Sequence, residues 1–279
     1  MEEKMNNIVL VPTDFSDVCA NAINQAAAAA EFLKYKVCVL HVIDKNTKTY
    51  LKDVGLDKSN IDERLAGIAA DVEKIYKVEV EVIAKEGNIF STIGEVAKEI
   101  GAILVFLGTH GKVGMQKLTG SFALKVVTSS PVPVVVVQKR SFEKGYHNIV
   151  LPITSDAGPW EKTKWATYIA KKFKAKINIF QLFGEKIDDA VKQITAHFDK
   201  NDVSYTIKVA EKSSNFSKQV IDYSTSKNAD LIMIMTNPEK GLATFILGTY
   251  DEQMIFNTSQ IPVLCVNPRK LNWEKIVSY

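Results

Sequence analysis

The sequence predicts an α/β fold of two tandem domains, each a doubly wound, Rossmann-like sheet of five parallel strands. Short apolar runs alternate with stretches of helical period, which is the pattern of βα units in a parallel sheet. An internal repeat of roughly 140 residues gives the second observation. Three segments recur in the same order in both halves: 7–13 with 148–154, 102–109 with 229–236, and 133–137 with 262–266. Duplication of one domain explains this order, and we expect domains at residues 1–140 and 146–279, with a linker around 139–147.

The first half contains five apolar runs that predict strands. The third run alternates valine with glutamate, which indicates a half-exposed strand near a sheet edge, whereas the uninterrupted fourth run indicates a central strand buried on both faces. Between the runs, apolar residues recur at steps of three and four and predict helices. The predicted strands are 8–11, 37–42, 78–82, 103–107 and 134–137, and the predicted helices are 18–33, 61–75, 89–100 and 122–129. The intervening stretch 44–60 is polar.

The second half repeats this order of elements. One helix carries Ile187, Val191, Ile194 and Phe198 on a single face and corresponds to the helix at 61–75. The predicted strands are 149–153, 177–183, 203–209, 231–235 and 263–266.

Composition and charge narrow the class of protein. The 279 residues are 46% hydrophobic and 24% charged, and 35 basic against 32 acidic residues leave a net charge of +3 without a basic cluster. Nucleic acid is therefore not an expected partner. Cys19, Cys38 and Cys265 form no CxxC and are expected to be reduced and buried. With no apolar leader at residues 1–7 and no run long enough to span a bilayer, we expect a cytoplasmic protein and no membrane partner.

A ligand site is expected where the winding of the first sheet reverses. If the first strand lies beside the fourth, the reversal falls between them, and Thr13 and Asp14 would face the glycine-rich segment 108–121. Glycines let backbone N–H groups approach phosphate oxygens, and the helix that follows offers free N–H groups and the positive end of its dipole. Ser121 could cap this helix and also donate to a phosphate. The segment therefore favours anion binding.

These residues resemble the ATP-binding universal stress proteins. The resemblance rests on segments 11–14 and 40–44, on Gly108 and Gly111, and on the closing pair Gly120 and Ser121, and it covers both halves. The family pattern is G-x2-G-x9-G-[ST], whereas here eight residues separate Gly111 from Gly120.

The resemblance implies a role for each matching residue, and none of these roles is catalytic. Pro12 and Asp14 would border the adenosine, with Asp14 contacting ribose or adenine, and the backbone of Val42 would contact adenine. Gly108 would pack near the ribose. The phosphates would meet the backbone of the remaining four residues: Gly111, Gly120, Ser121 and Phe122. The implied ligand is ATP or a related adenine nucleotide, with magnesium only as part of the bound nucleotide.

The second half departs from the family pattern. Residues 235–238 read Met-Thr-Asn-Pro where the two leading glycines belong, although Gly248 and Thr249 keep the closing pair. Proline lacks an N–H donor, and methionine adds bulk where close approach is needed. Ser155 or Asp156 would match Asp14. We expect this half to be structural, regulatory or different in selectivity.

Structural alternatives accompany the site assignments. Asp14 could cap the helix beginning near Phe15 or Ser16, with or without ligand contact, and the glycine cluster could be only a turn. His110 is interpreted as a solvated loop residue, with phosphate contact as the alternative. The four histidines show no metal-site spacing, so no metal is expected. Walker-A, GxGxxG and GxSxG motifs are absent from the sequence.

Three functions remain open at this point. The first is a stress-response or signalling module that binds an adenine nucleotide in the first domain, is not an enzyme, and hydrolyses ATP slowly or not at all. The second is a scaffold of the same fold that binds no nucleotide. The third and weakest is an adenine-nucleotide hydrolase or transferase, which would depend on Asp14 or Ser121.

Protein contacts are expected at two places. As in the family, the apolar strands at 134–137 and 263–266 are expected to pair across a domain or subunit interface, either within one chain or in a homodimer. The tail 268–279 carries Trp273 and Ile276, which favour docking over free disorder. The protein partners themselves are not identified by the sequence.

Overall fold

A computed structural model describes residues 7–110, 120–142, 145–154, 159–236 and 249–267. The chain divides into two compact units, Met1–Phe142 and Glu143–Tyr279. Within the described ranges, no helix is both long and apolar enough to cross a membrane. Gly111 and the tail 268–279, for which the sequence made predictions, lie outside these ranges.

The first unit is a parallel sheet in the order β3-β2-β1-β4-β5. Its elements are β1 Ile8–Pro12, α1 Asp17–Leu33, β2 Lys36–Ile43, α2 Lys45–Asp53, α3 Lys58–Tyr76, β3 Val80–Glu86, α4 Ile89–Glu99, β4 Leu104–Gly108, α5 Gly120–Ser129 and β5 Val134–Val137. The first strand thus lies between the second and the fourth, so the winding reverses at β1 and β4.

The second unit has the same connectivity, with strand order β8-β7-β6-β9-β10. Its elements are β6 Asn148–Ile153, α6 Pro159–Phe173, β7 Lys176–Gln181, α7 Glu185–Lys200, β8 Tyr205–Val209, α8 Phe216–Ser226, β9 Leu231–Met235, α9 Thr249–Ile255 and β10 Val263–Val266. The prediction of two doubly wound parallel sheets is confirmed.

Burial along the strands follows the hydrophobic pattern. Every residue of β1, β4 and β5 is buried, whereas β3 is half exposed at the edge of its sheet, as its Val/Glu alternation predicted. The alanine-rich face of α1 packs on the sheet, with Ala22, Ala26 and Ala30 fully buried. Small side chains let helix and sheet approach closely, which is why the core of this unit combines a valine-rich sheet with an alanine-rich helix.

The cysteines are free and buried, as predicted. Burial raises the pKa of the Cys19 thiol to about 12, with a further contribution from the charge of Asp14. Burial likewise raises the pKa of Cys38 to about 12. Both thiols therefore remain protonated and unreactive at neutral pH.

The structure differs from the sequence prediction in several places, and the strands predicted at 78–82 and 203–209 are observed at Val80–Glu86 and Tyr205–Val209. The polar stretch 44–60 contains α2, which has no buried residue and so presents no apolar period. Asp44 begins this helix by accepting a hydrogen bond from the Thr47 N–H at 2.8 Å. Ile75, assigned to the apolar face of α3, is 66% exposed in the last turn of that helix, and β7 ends at Gln181, so Phe183 lies in the following loop.

Candidate functional site

A cleft of about 790 Å³ opens at the carboxyl ends of β1, β2 and β4. Its wall on one side is formed by α2 and the beginning of α3, and on the other by the beginning of α4. The lining residues are Pro12, Thr13, Asp14, Phe15, Ser16, Asp17, His41, Val42, Asp44, Thr47, Tyr50, Leu51, Leu56, Asn60, Ile61, Arg64, Ile89, Ile93, Leu107 and His110. This is the edge of the sheet at which the parallel topology places ligands.

The turn between β1 and α1 is built by its own side chains. The Asp14 carboxylate accepts a hydrogen bond from the Ser16 N–H, and the Thr13 hydroxyl accepts one from the Phe15 N–H, both at 3.0 Å. Burial acts to raise the pKa of Asp14, but hydrogen bonds, with those from Ser16 the largest, together outweigh it and the pKa is lowered. Asp14 is therefore an ionised acceptor that holds the entry to α1 and also lines the cleft.

Phe15 has an uncommon backbone conformation at the centre of this turn. Its φ is +65°, in the left-handed region that a bulky residue enters only when its surroundings hold it there. Two side chains contact the ring of Phe15. The ring stacks on His41 with 4.6 Å between centroids and 21° between planes, and the guanidinium carbon of Arg64 lies 4.2 Å from its centroid on the ring face.

His41 links this stack to the sheet. Its Nδ1 lies 2.9 Å from the carbonyl oxygen of Thr13, so Nδ1 carries the proton and donates to that oxygen. Burial lowers the pKa of His41, although the bond to Thr13 acts in the opposite direction. The neutral imidazole fixes Thr13 against the end of β2 and thereby shapes the floor of the cleft.

Val42 and Asp44 form the β2 side of the cleft. Val42 is buried, and its carbonyl oxygen accepts a hydrogen bond from the Asp44 N–H at 3.0 Å, which turns the chain directly into α2. The structure thus brings Pro12, Asp14 and Val42, which the sequence placed in one site, to a single cleft.

The glycine-rich side of the site is only partly described. Gly108 ends β4 and faces α1 rather than the cleft: a Cβ at this position would lie 2.7 Å from the carbonyl oxygen of Val18. Gly120 and Ser121 begin α5, and the ring of Phe122 lies 5.0 Å from that of Phe90, outside the cleft lining. The roles predicted for Gly108, Gly111, Gly120, Ser121 and Phe122 remain predictions.

Sequence reasoning missed several residues of the cleft. Thr47, Tyr50 and Leu51 belong to α2, which it did not predict. It weighed Phe15 only as a possible helix start and gave Arg64 no role, because their contact depends on the left-handed backbone of Phe15 and on the facing turn of α3. His110, which the sequence interpreted as a solvated loop residue, is half-buried and lines the cleft.

A second groove of about 290 Å³ adjoins the cleft between α1 and α3. Thr13, Phe15, Ser16 and Arg64 line both. The contacting residues Phe15 and Arg64 therefore border both the cleft and the groove.

Comparison with known proteins agrees with this architecture. The sequence model of the universal stress protein family matches residues 5–138. A universal stress protein of Methanocaldococcus jannaschii is 30% identical over 149 residues, which cover 50% of this chain and 87% of that protein. A second one from the same organism is 26% identical over 154 residues, covering 48% of this chain and 95% of the relative.

One solved structure extends the likeness to nearly the whole chain. The universal stress protein from Archaeoglobus fulgidus superposes with a TM-score of 0.77 at 18% identity, covering 95% of this chain and 100% of that one. This likeness shows that the two chains share a fold, and the sequence relatives identify the family. The chain belongs to the universal stress protein family.

Proposed function

We propose that the first unit binds ATP or a related adenine nucleotide in the cleft and that the chain acts as a nucleotide-dependent stress-response or signalling module. One observation supports this most directly. Pro12, Asp14 and Val42, which the family resemblance associates with adenosine, line the same cleft although they come from two different strand ends.

The chemistry of the cleft suits a nucleoside. Its volume of about 790 Å³ falls within the range of about 300 to 1,000 Å³ typical of small-molecule sites. Ile89, Ile93 and Leu107 offer an apolar wall for a base. The ionised carboxylate of Asp14 can accept hydrogen bonds from a ribose hydroxyl or from an amino group, which fixes the orientation of the ligand.

The phosphates are proposed to run toward the beginning of α5. Gly120 is the first residue of this ten-residue helix, and the glycine-rich segment precedes it. A helix N-terminus presents free N–H groups and partial positive charge to an anion. Ser121 and Phe122 would add their backbone N–H groups.

The proposal contains no catalytic step. Binding at Asp14 and at backbone amides requires neither a nucleophile nor a positioned base, and we expect ATP turnover to be slow or absent. The second unit is proposed to be structural or regulatory.

The test is equilibrium binding of ATP to the full chain by titration calorimetry, with native mass spectrometry to detect nucleotide retained on purification. Asp14→Asn keeps an acceptor for the Ser16 N–H but removes the charge, so we expect about tenfold weaker binding with an unchanged fold. Asp53→Asn, at the exposed end of α2 and outside the cleft, is the matched control.

Three outcomes separate the functions. Binding that weakens in Asp14→Asn and not in Asp53→Asn supports the module. If the wild-type chain does not bind ATP at millimolar concentration, the result would favour a scaffold that works without nucleotide. Release of phosphate at a rate abolished by Asp14→Asn would instead indicate an enzyme.

A further inference from the structure

Arg64 is an unusual residue on α3 because the helix gives it no acid to pair with. The residues three and four positions away are Ile61, Gly67, Asn60 and Ile68. By contrast, Lys58 on the same helix pairs with Asp62 four residues later, at 2.8 Å. Across the ranges that the structure describes, Arg64 forms no ion pair and no hydrogen bond.

The side chain of Arg64 is nevertheless held in place. Its guanidinium carbon lies 4.2 Å from the centroid of Phe15, whose own ring stacks on the buried His41. A cation–π contact uses the charge of the guanidinium but satisfies none of its five N–H donors. The contact therefore positions an exposed cation over the ring of Phe15 and leaves its donors available.

The charges around the cleft make this position distinctive. Among the described lining residues, Asp14, Asp17 and Asp44 are the acidic residues of the cleft and Asp71 is that of the adjoining groove, whereas Arg64 is the one arginine or lysine of either. Among these described side chains, the carboxylates repel an anionic group that enters the cleft from the side of α3, and Arg64 attracts it. The planar guanidinium matches phosphate through paired N–H donors.

From this geometry we propose that Arg64 binds a phosphate group of the nucleotide at the α3 end of the cleft. The inference rests on the proposed function and adds an anion-binding side chain far in sequence from the glycine-rich segment. The phosphate could belong to the 5′ chain or could be carried elsewhere on the ribose. Both sources present the same chemistry to the guanidinium.

The test compares adenosine, 5′-AMP, 3′-AMP and ATP as probes in calorimetric titrations of the full chain at low and moderate salt. In Arg64→Gln we expect affinity for at least one phosphorylated probe to fall by about tenfold or more, with adenosine unchanged. The probe that loses most identifies which phosphate Arg64 contacts. Arg64→Lys keeps the charge without the planar fork and should recover part of the affinity, and the recovery should shrink as salt rises.

Lys74→Gln, an exposed substitution in the last turn of α3, removes one positive charge from the same helix and is the matched control. Equal losses for adenosine and the phosphorylated probes in Arg64→Gln would mean that Arg64 only supports Phe15, which overturns the inference. So would unchanged binding of every probe, or a loss that Lys74→Gln reproduces. A wild-type chain that binds none of the four probes overturns the proposed function and this inference together.

Discussion

The first helices of the two units, α1 and α6, occupy equivalent places but differ sharply in what they bury. The two helices can be aligned at their ends, because Lys34 and Lys174 both adopt a left-handed conformation just after the last turn. This alignment places Lys162 of α6 where α1 has Ala22. Both positions are buried, with 6% of Lys162 and none of Ala22 exposed.

Lys162 is accommodated by a polar arrangement that the first unit lacks. Its ammonium group donates to the carbonyl oxygen of Pro152 in β6, and burial lowers its pKa to about 7, against a smaller opposing effect of the Asp251 carboxylate. Asp251 is itself buried, and counting from the Gly-Ser and Gly-Thr pairs of the repeat it replaces Ala123. Two buried alanines of the first unit thus correspond to a lysine and an aspartate in the second.

The last residue of the fourth strand also differs between the units, being small in the first and large in the second. Gly108 pairs with Val137, the last residue of β5, and Met235 pairs with Val266, the last residue of β10, so the two positions are equivalent. In the first unit a Cβ at this point would meet the backbone of α1 at 2.7 Å. The second unit carries a methionine there. The same fold therefore accommodates a closely packed α1 in the first unit and buried charged residues in the second. The two units share their strand order and differ in the residues that pack at the ends of the strands and on the first helix.

Transferring the methionine to the first unit should have the largest effect. In Gly108→Met the new Cβ would clash with the carbonyl of Val18, which is backbone and cannot rotate away, so α1 must shift. We expect the free energy of unfolding to fall by about 3 kcal/mol or more, and we expect the proposed nucleotide binding to weaken because Asp14 precedes α1. Denaturant unfolding of the full chain measures the first effect.

Met235→Gly is the reciprocal control for that experiment, since it removes a half-buried side chain without creating a clash. It should cost less than Gly108→Met. Equal losses in the two variants would show that the close approach of α1 is not what requires glycine.

The buried lysine should produce a smaller, pH-dependent effect. Because the pKa of Lys162 is depressed to about 7 from 10.5, the unfolded chain binds more protons than the folded chain between these values. The free energy of unfolding therefore rises with pH between about 7 and 10.5, because the folded chain holds Lys162 neutral more readily than the unfolded chain does. Between pH 7 and 9 the wild type should gain about 2 kcal/mol relative to Lys162→Met.

Hydrogen exchange of α6 amides at pH 7, 8 and 9 measures this difference. The wild type and Lys162→Met share their other titratable groups, such as Tyr146, Tyr250 and Cys265, so the effects of those groups on stability cancel when the two proteins are compared. A wild-type minus variant difference that stays constant across this range would mean that Lys162 is not titrating there.

Features that depend on continuous burial or on the order of the strands could be predicted from the sequence. Strands 134–137 and 231–235 are continuous apolar runs, and they were predicted at their observed bounds because residues on both faces of each strand are buried. The grouping of Asp14 with Val42 came from the family resemblance, and parallel topology explains it, because the carboxyl ends of parallel strands meet at one edge of the sheet regardless of their distance in sequence.

Features that depend on tertiary contacts could not be predicted in this way. The helix α2 buries none of its residues, so its sequence carries only charge and cap signals. Lys162 is among the residue types least often buried, and local sequence contains nothing that distinguishes it from the exposed lysines of α6. The Phe15–Arg64 contact depends on the left-handed backbone of Phe15 and on which side of α3 faces that residue. The spacing of hydrophobic residues predicts neither.

The smallest expected effect concerns how the first unit secures the segment after β5. Asn21 of α1 donates to the carbonyl oxygens of Gln138 and Arg140 at 2.7 and 2.9 Å, and Gln25 donates to that of Arg140 at 2.8 Å. The equivalent residues of α6 are Glu161 and Trp165, which cannot provide the same pair of amide donors.

Asn21→Ala removes two donors and leaves the Arg140 carbonyl with Gln25 alone. We expect a loss of about 1 kcal/mol confined to this segment, so backbone amides near residue 139 should exchange about fivefold faster while those of β1 are unchanged. Asn24→Ala, an exposed asparagine on the same helix, is the control and should leave these rates unchanged. Faster exchange throughout the first unit in Asn21→Ala would contradict this expectation. It would show that the two hydrogen bonds stabilise the whole unit and do not only hold the segment after β5 against α1.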